Sequence, residues 1–188
     1  HVLEDIESLN LRAVKGELEG TAISAGAYPT VEDKYRIMRV GASIGRNYGP
    51  LVVAKADRGN ISLDGSRIAI PGKYTTAYLL LRIYANGFEP VPMDFDVIIP
   101  AVQEGKVDAG LLIHEGQVTY QDEGLIKLLD VGEAWGQDTG LPIPLGLDMV
   151  RRDLGEEMAQ LMAETLKESI QYAFDHEDEA LDYAIQFS

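Results

Sequence analysis

Between residues 67 and 113 the chain alternates short apolar runs with helical ones, and that alternation restricts the fold to the α/β class. Residues 67–70 form a compact apolar strand after the Asp64-Gly65 turn signal, and Pro71-Gly72 breaks it. Residues 75–85 follow as an apolar helix closed at Asn86-Gly87, and 91–95 as a strand. Residues 97–102 are the apolar part of a helix ending at Gly105, and 107–113 a buried strand. Such a strand–helix–strand–helix–strand unit forms a small lobe of its own, with largely parallel strands. Extended segments at 51–55 and 142–147 flank it as two crossings between lobes would. The expected lobes are therefore residues 1–55 with 142–188, incomplete at both ends, and residues 56–141, with a cleft between them.

The remaining segments fit this plan. Ile6, Leu9, Ala13 and Val14 recur at helical spacing over residues 5–15, and Gly16 stops the helix. Residues 21–24 form a short strand that runs into a helix start at 25–28. Another strand is expected at 36–40, followed by a glycine-rich loop over 41–50. Residues 125–131 form a strand, and a loop carrying Trp135, Pro142 and Pro144 comes after it. Asp153 with Glu156 suggests a capping arrangement for a long amphipathic helix. Met158, Met162, Leu166, Ile170 and Ala173 would share its apolar face. A last helix carries Ala180, Leu181 and Ala184.

Charge and composition exclude several functions. The net charge of −15 opposes binding to nucleic acid or to an anionic membrane surface, both of which rely on clustered Lys and Arg. Ten acidic and three basic residues fall between Arg151 and Ser188, a pattern that reads as a solvated helix face. No run of about 18 apolar residues exists, so no membrane-spanning helix is expected. With no cysteine, disulfides and thiolate chemistry are excluded, which fits a cytoplasmic protein. Three scattered histidines without a His-x-x-x-His spacing argue against a zinc site.

His114 is the sharpest chemical feature. It ends the apolar strand Ala109-Gly110-Leu111-Leu112-Ile113, and ligands in open α/β sheets collect beyond the carboxyl ends of strands. An ordinary imidazole titrates near 6.5 and can serve as a base at neutral pH. Position alone leaves open a second role, a strand-end histidine bonded to a neighbouring carbonyl. Glu115 beside it is a candidate to orient the ring. Pro71-Gly72-Lys73-Tyr74-Thr75-Thr76-Ala77-Tyr78 puts a helix start after a strand, where unpaired N–H groups and hydroxyls attract carboxylate or phosphate. Its threonines could equally serve only as caps. Thr21-Ala22-Ile23-Ser24 has the same form, and two such ends facing one cleft would make a two-sided anion clamp. No P-loop, dinucleotide fingerprint, Ser-His-Asp set or paired-carboxylate motif is present.

Five segments stand together in a familiar order. They are Leu3-Glu4-Asp5-Ile6-Glu7-Ser8-Leu9-Asn10, Gly49-Pro50-Leu51-Val52-Val53, Pro71 through Tyr78, Gly110-Leu111-Leu112-Ile113-His114-Glu115, and Gly140-Leu141-Pro142-Ile143-Pro144-Leu145-Gly146. Over nearly its whole length the chain resembles the 1,4-dihydroxy-6-naphthoate synthase family of futalosine-pathway menaquinone biosynthesis. The resemblance implies an α/β fold like the type II periplasmic binding proteins, two lobes closing over the substrate. It implies a lyase that cleaves cyclic dehypoxanthine futalosine to 1,4-dihydroxy-6-naphthoate and dihydroxyacetone, with no metal or organic cofactor. His114 would be the proton acceptor, and Ser24, Thr76 and Ala77 would line the site of a small-molecule carboxylate substrate. Where the family can carry a lysine two residues before the serine, this chain has Ala22, so the backbone at Ala22 and Ile23 is expected to serve on that side. The family's opening strand is expected before His1 and a helical stretch after Ser188. Two other readings share this fold, a non-enzymatic solute receptor and a chorismate dehydratase.

Overall fold

The computed structural model of the protein describes residues 2–46, 48–59 and 61–187. Helix α1 (Ile6–Lys15) starts where Asp5 accepts hydrogen bonds from Glu7 N and Ser8 N at 3.0 and 3.1 Å. It ends at Gly16, whose left-handed φ of 75° lets its N–H close on Ala13 O and Arg12 O. Strand β1 (Gly20–Ser24) passes into a 3-10 turn (Ala25–Thr30), and β2 (Tyr35–Gly45) follows. With β8 (Ile143–Arg151) these make a three-stranded antiparallel sheet of order β1-β8-β2. Its core, beneath α1 and the 3-10 turn, is Ala13, Ile23, Ala27, Val31, Tyr35 and Met149.

The second sheet has the order β5-β4-β6-β3-β7, built from β3 (Leu51–Lys55), β4 (Arg67–Ile70), β5 (Glu89–Pro92), β6 (Ala109–Leu112) and β7 (Leu125–Asp130). Alternate residues of its strands feed two cores. Val52, Ala54, Ile68, Ile70 and Leu111 pack with Leu80 and Leu81 of α2 (Thr76–Tyr84) and with Val131, which opens α5 (Val131–Thr139). Leu51, Val53, Ala69 and Leu112 pack on the other face with Ile98, Ala101 and Val102 of α3 (Ile98–Gln103). A short α4 (Gly116–Thr119) follows β6, and α6 (Gly155–Asp175) and α7 (Glu177–Ala184) follow β8. The result is a two-lobed α/β fold.

Several expectations differ from this structure. The sheets are mostly antiparallel, and parallel pairing is confined to β5-β4-β6. The reason is that β3 enters the second sheet from the first lobe and runs against both β6 and β7. A lobe boundary at residue 55 would therefore cut β3 from its own sheet; the crossing lies between β2 and β3. β2 extends through the glycine-rich stretch to Gly45, with irregular pairing near Gly41, which adopts φ 73°. Trp135 sits in helix α5, not in a loop. Asp130 caps that helix by accepting from Glu133 N at 2.9 Å, a signal that the glycines at 132 and 136 obscure. Asp153 does not cap α6; its carboxylate pairs with Arg151 at 2.7 Å, and Glu156 pairs with Arg36. Met158 faces outward, while Met162 and Leu166 turn toward the first sheet. Among the described residues no helix is long and apolar enough to cross a membrane.

Candidate functional site

The chain crosses between the lobes at Tyr48-Gly49-Pro50 and again at the start of β8, where Ile143 packs in the second lobe's core and Met149 in the first lobe's. Beside these crossings Ser24, Ser43, Tyr48, Thr76, Ala77 and His114 open onto one cleft of about 230 Å³. Four of the six residues singled out for chemistry thus share one space, although they lie up to 90 positions apart. Roomier hollows beside α5 and beneath α6 contain none of those four.

His114 stands just past the end of β6, at φ 54°, a left-handed conformation uncommon for a residue with a side chain. The turn is held from two sides, since Gln117 N donates to His114 O at 3.2 Å and the Tyr48 hydroxyl donates to the same oxygen at 3.4 Å. With its amide oriented to match donors and acceptors, Gln117 also accepts from His114 N at 3.1 Å and donates to Gly49 O. The edge-on ring of Phe95, with centroids 5.1 Å apart, packs against the exposed imidazole. Glu115, expected as the residue orienting the ring, forms no hydrogen bond to it. Its backbone instead begins the turn into α4, and its carbonyl accepts from Val118 N and Thr119 N.

On the first lobe, Ser24 is almost fully buried and joined by both polar atoms to Asn10. Asn10 Oδ1 accepts from Ser24 N at 2.8 Å, and Asn10 Nδ2 donates to Ser24 Oγ at 3.0 Å. Nδ2 also donates to Glu7 Oε2 at 3.1 Å, and the Glu7 carboxylate accepts from Tyr74 N at 3.2 Å. Gly72 approaches Glu7 so closely that a side chain there would collide with the carboxylate. One carboxylate therefore ties α1 to the turn that precedes α2.

On the second lobe, Thr75 caps α2, accepting from Tyr78 N at 3.2 Å while donating to Gly72 O at 2.9 Å. Thr76 serves as a strut. Its hydroxyl donates to Leu145 O at 2.8 Å and accepts from Gly26 N at 3.0 Å, joining α2 to β8 and to the 3-10 turn. Its proton is committed, and the donors left at this helix start are the Thr76 and Ala77 N–H groups. Thr76→Val keeps the shape but strands the Leu145 carbonyl and the Gly26 N–H. The expected result is a loss of about 1–3 kcal/mol in denaturant unfolding. Unchanged stability would mean that the hydroxyl is free for a ligand.

The side chains of Ala22 and Ile23 turn away from this cleft. β1 alternates, so Ile23 points into the first lobe's core with no exposure, and Ala22 points to the opposite side, into the hollow beneath α6. That hollow also holds Asp148, whose carboxyl burial pushes above the usual range. Only Ser24 of the three reaches the cleft. Conversely, Phe95 and Gln117 belong to the site and carried no motif, while Glu7 and Asn10 stand in the Leu3–Asn10 segment of the resemblance and Tyr48 in the loop ahead of β3, none with a role assigned to it. Asn10 did leave a trace, a polar residue on the Ile6–Ala13 face of an amphipathic helix.

A family model described as menaquinone biosynthesis matches residues 1–188. This chain belongs to that family. Within the menaquinone biosynthesis family it is 49% identical over 183 residues to the 1,4-dihydroxy-6-naphthoate synthase of Thermus thermophilus, covering 97% of this chain and 66% of that protein. It is 40% identical over 188 residues to the enzyme of the same name from Streptomyces coelicolor, with the same coverage of each. The chain therefore spans just under two thirds of the length of these curated relatives. A crystal structure of protein AF1704 from Archaeoglobus fulgidus superimposes with a TM-score of 0.94 at 54% identity, over 100% of this chain and 70% of that one. The alkanesulfonate-binding protein SsuA from Xanthomonas axonopodis pv. citri gives a TM-score of 0.68 at 17% identity over 97% of this chain and 66% of its own. That likeness carries the fold alone, the two-lobed architecture of solute-binding proteins.

Proposed function

We propose that the protein is a cytoplasmic lyase that cleaves cyclic dehypoxanthine futalosine to 1,4-dihydroxy-6-naphthoate and dihydroxyacetone. The observation that carries this reading is the gathering of His114, Ser24, Thr76 and Ala77 on one cleft between lobes, in a chain similar to named 1,4-dihydroxy-6-naphthoate synthases. Ser24 and the N–H groups at the start of α2 hold the substrate carboxylate from opposite sides. Lobe closure excludes water. Neutral His114 takes a proton from the substrate to begin carbon–carbon cleavage, a step of a kind that contributes about 10²–10⁴-fold in rate. The step as written draws only on these side-chain and backbone groups and calls for no metal or organic cofactor.

A solute receptor uses the same clamp but has no use for a base, and a chorismate dehydratase acts on a different carboxylate. Incubating the protein separately with cyclic dehypoxanthine futalosine and with chorismate distinguishes all three. The expected result is 1,4-dihydroxy-6-naphthoate from the first and no 3-enolpyruvylbenzoate from the second. Tight binding without turnover would make the protein a receptor.

A further inference from the structure

We propose that Asn10 is a positioning residue that makes Ser24 a fixed hydrogen-bond donor, so that the cleft selects an anionic oxygen at that point. The inference rests on the proposed function for the identity of the ligand, but its argument comes from the buried network alone.

Two groups of fixed polarity set the direction of every bond in that network. The Ser24 backbone N–H can only donate, so the Asn10 side chain must present its oxygen to it, at 2.8 Å. The Glu7 carboxylate can only accept, so Asn10 must present its nitrogen on the other side, at 3.1 Å. With the amide oriented by both ends, Nδ2 is also the atom that meets Ser24 Oγ at 3.0 Å. Ser24 Oγ is therefore an acceptor within the protein, and its own proton is left for whatever enters the cleft that it lines. Asn10 has no solvent exposure, so water cannot reorient the amide. A serine without this partner could turn its hydroxyl to accept or to donate and would discriminate little. Held this way it donates, which suits a carboxylate and disfavours a ligand hydroxyl or amide N–H that needs an acceptor. Glu7 extends the device, because the carboxylate that fixes Asn10 also takes Tyr74 N from the turn ahead of α2. The two faces of the clamp are thus tied to one another.

The bland alternative is that Asn10 only fastens α1 to β1. It predicts lost stability on mutation and no change in which ligands bind. The test compares the affinities of 1,4-dihydroxy-6-naphthoate and 1,4-dihydroxynaphthalene, which lacks the carboxylate, by calorimetry. Unmodified protein is expected to prefer the carboxylate-bearing ring by roughly tenfold or more, the scale of a hydrogen bond to a charged group. Asn10→Asp keeps the size and still accepts from Ser24 N–H, but its second oxygen accepts the Ser24 proton and draws it away from the cleft. The preference is expected to drop by roughly tenfold, to what the α2 N–H groups alone supply, as it should in Ser24→Ala, and the double variant should lose nothing more.

An undiminished preference in Asn10→Asp would overturn the proposal. Should that variant not fold, Ser24→Ala carries the same decision, since a preference undiminished without the hydroxyl overturns it equally. Turnover of cyclic dehypoxanthine futalosine by a protein with no carboxylate preference would overturn this inference and leave the proposed function standing. A preference without turnover would do the reverse.

Discussion

Gly132→Ala is expected to lower the melting temperature by roughly 2–12 °C, although it adds a single methyl group. A Cβ at this position would stand 2.8 Å from both Gly49 Cα and Gly49 N and 3.1 Å from the Tyr48 carbonyl carbon. All three are backbone atoms, so no side chain can swing aside to make room. Either α5 or the 48–50 crossing must move, and both are anchored. Val131 is fully buried in the second lobe's core, and its N–H donates to Pro50 O at 3.0 Å. Overpacking of this kind costs about 1–3 kcal/mol and sometimes more, and each kcal/mol is worth about 2–4 °C in a domain of this size. The displaced crossing carries Tyr48, which bonds the His114 carbonyl, so activity should fall beyond what stability explains. Gly136→Ala is the control. It lies in the same helix with no atom within 4 Å of an added Cβ, and it should gain up to about 1 kcal/mol through helix propensity. Thermal unfolding of the two variants decides the matter, and equal melting temperatures would sink the account.

The same pair of glycines shows where sequence reasoning ran out. Local signals were legible: the helical spacing and Gly16 stop of α1, the Pro71-Gly72 break, the Thr75 start of α2 and the apolar run ending at Ile113 all lie where the sequence pattern puts them. Each is decided by a few neighbouring residues. Strand pairing is not, and residues 51–55 read as a crossing between lobes because an apolar run of five residues suits a crossing and a central strand equally well. The site divided in the same way. Ser24, Thr76 and His114 announce themselves because they end strands or begin helices. What the Thr76 hydroxyl does, and that Ala22 and Ile23 turn away from the cleft, depends on Gly26 and Leu145 and on the alternation of β1. The roles of Asn10 and Glu7 were not legible for a related reason, since they act on partners 14 and 67 residues away.

His114→Asn is expected to leave binding of cyclic dehypoxanthine futalosine within about tenfold while lowering turnover at least a hundredfold. Asparagine is the informative replacement because of the backbone. His114 sits at φ 54°, and asparagine is among the few residues with a side chain that adopt the left-handed region readily. The turn closed by Gln117 N and the Tyr48 hydroxyl should therefore persist, so that a loss of activity reports the missing base and not a collapsed loop. An amide nitrogen cannot take a proton at neutral pH. If His114 were instead only a strand-end residue packed on Phe95, the damage would come in the opposite order. Stability would drop and binding with it, while whatever protein remained folded turned over normally. Melting temperature, affinity and single-turnover rate measured on one preparation separate the two. A normal single-turnover rate in His114→Asn would remove this residue from the mechanism and leave the cleft without a base.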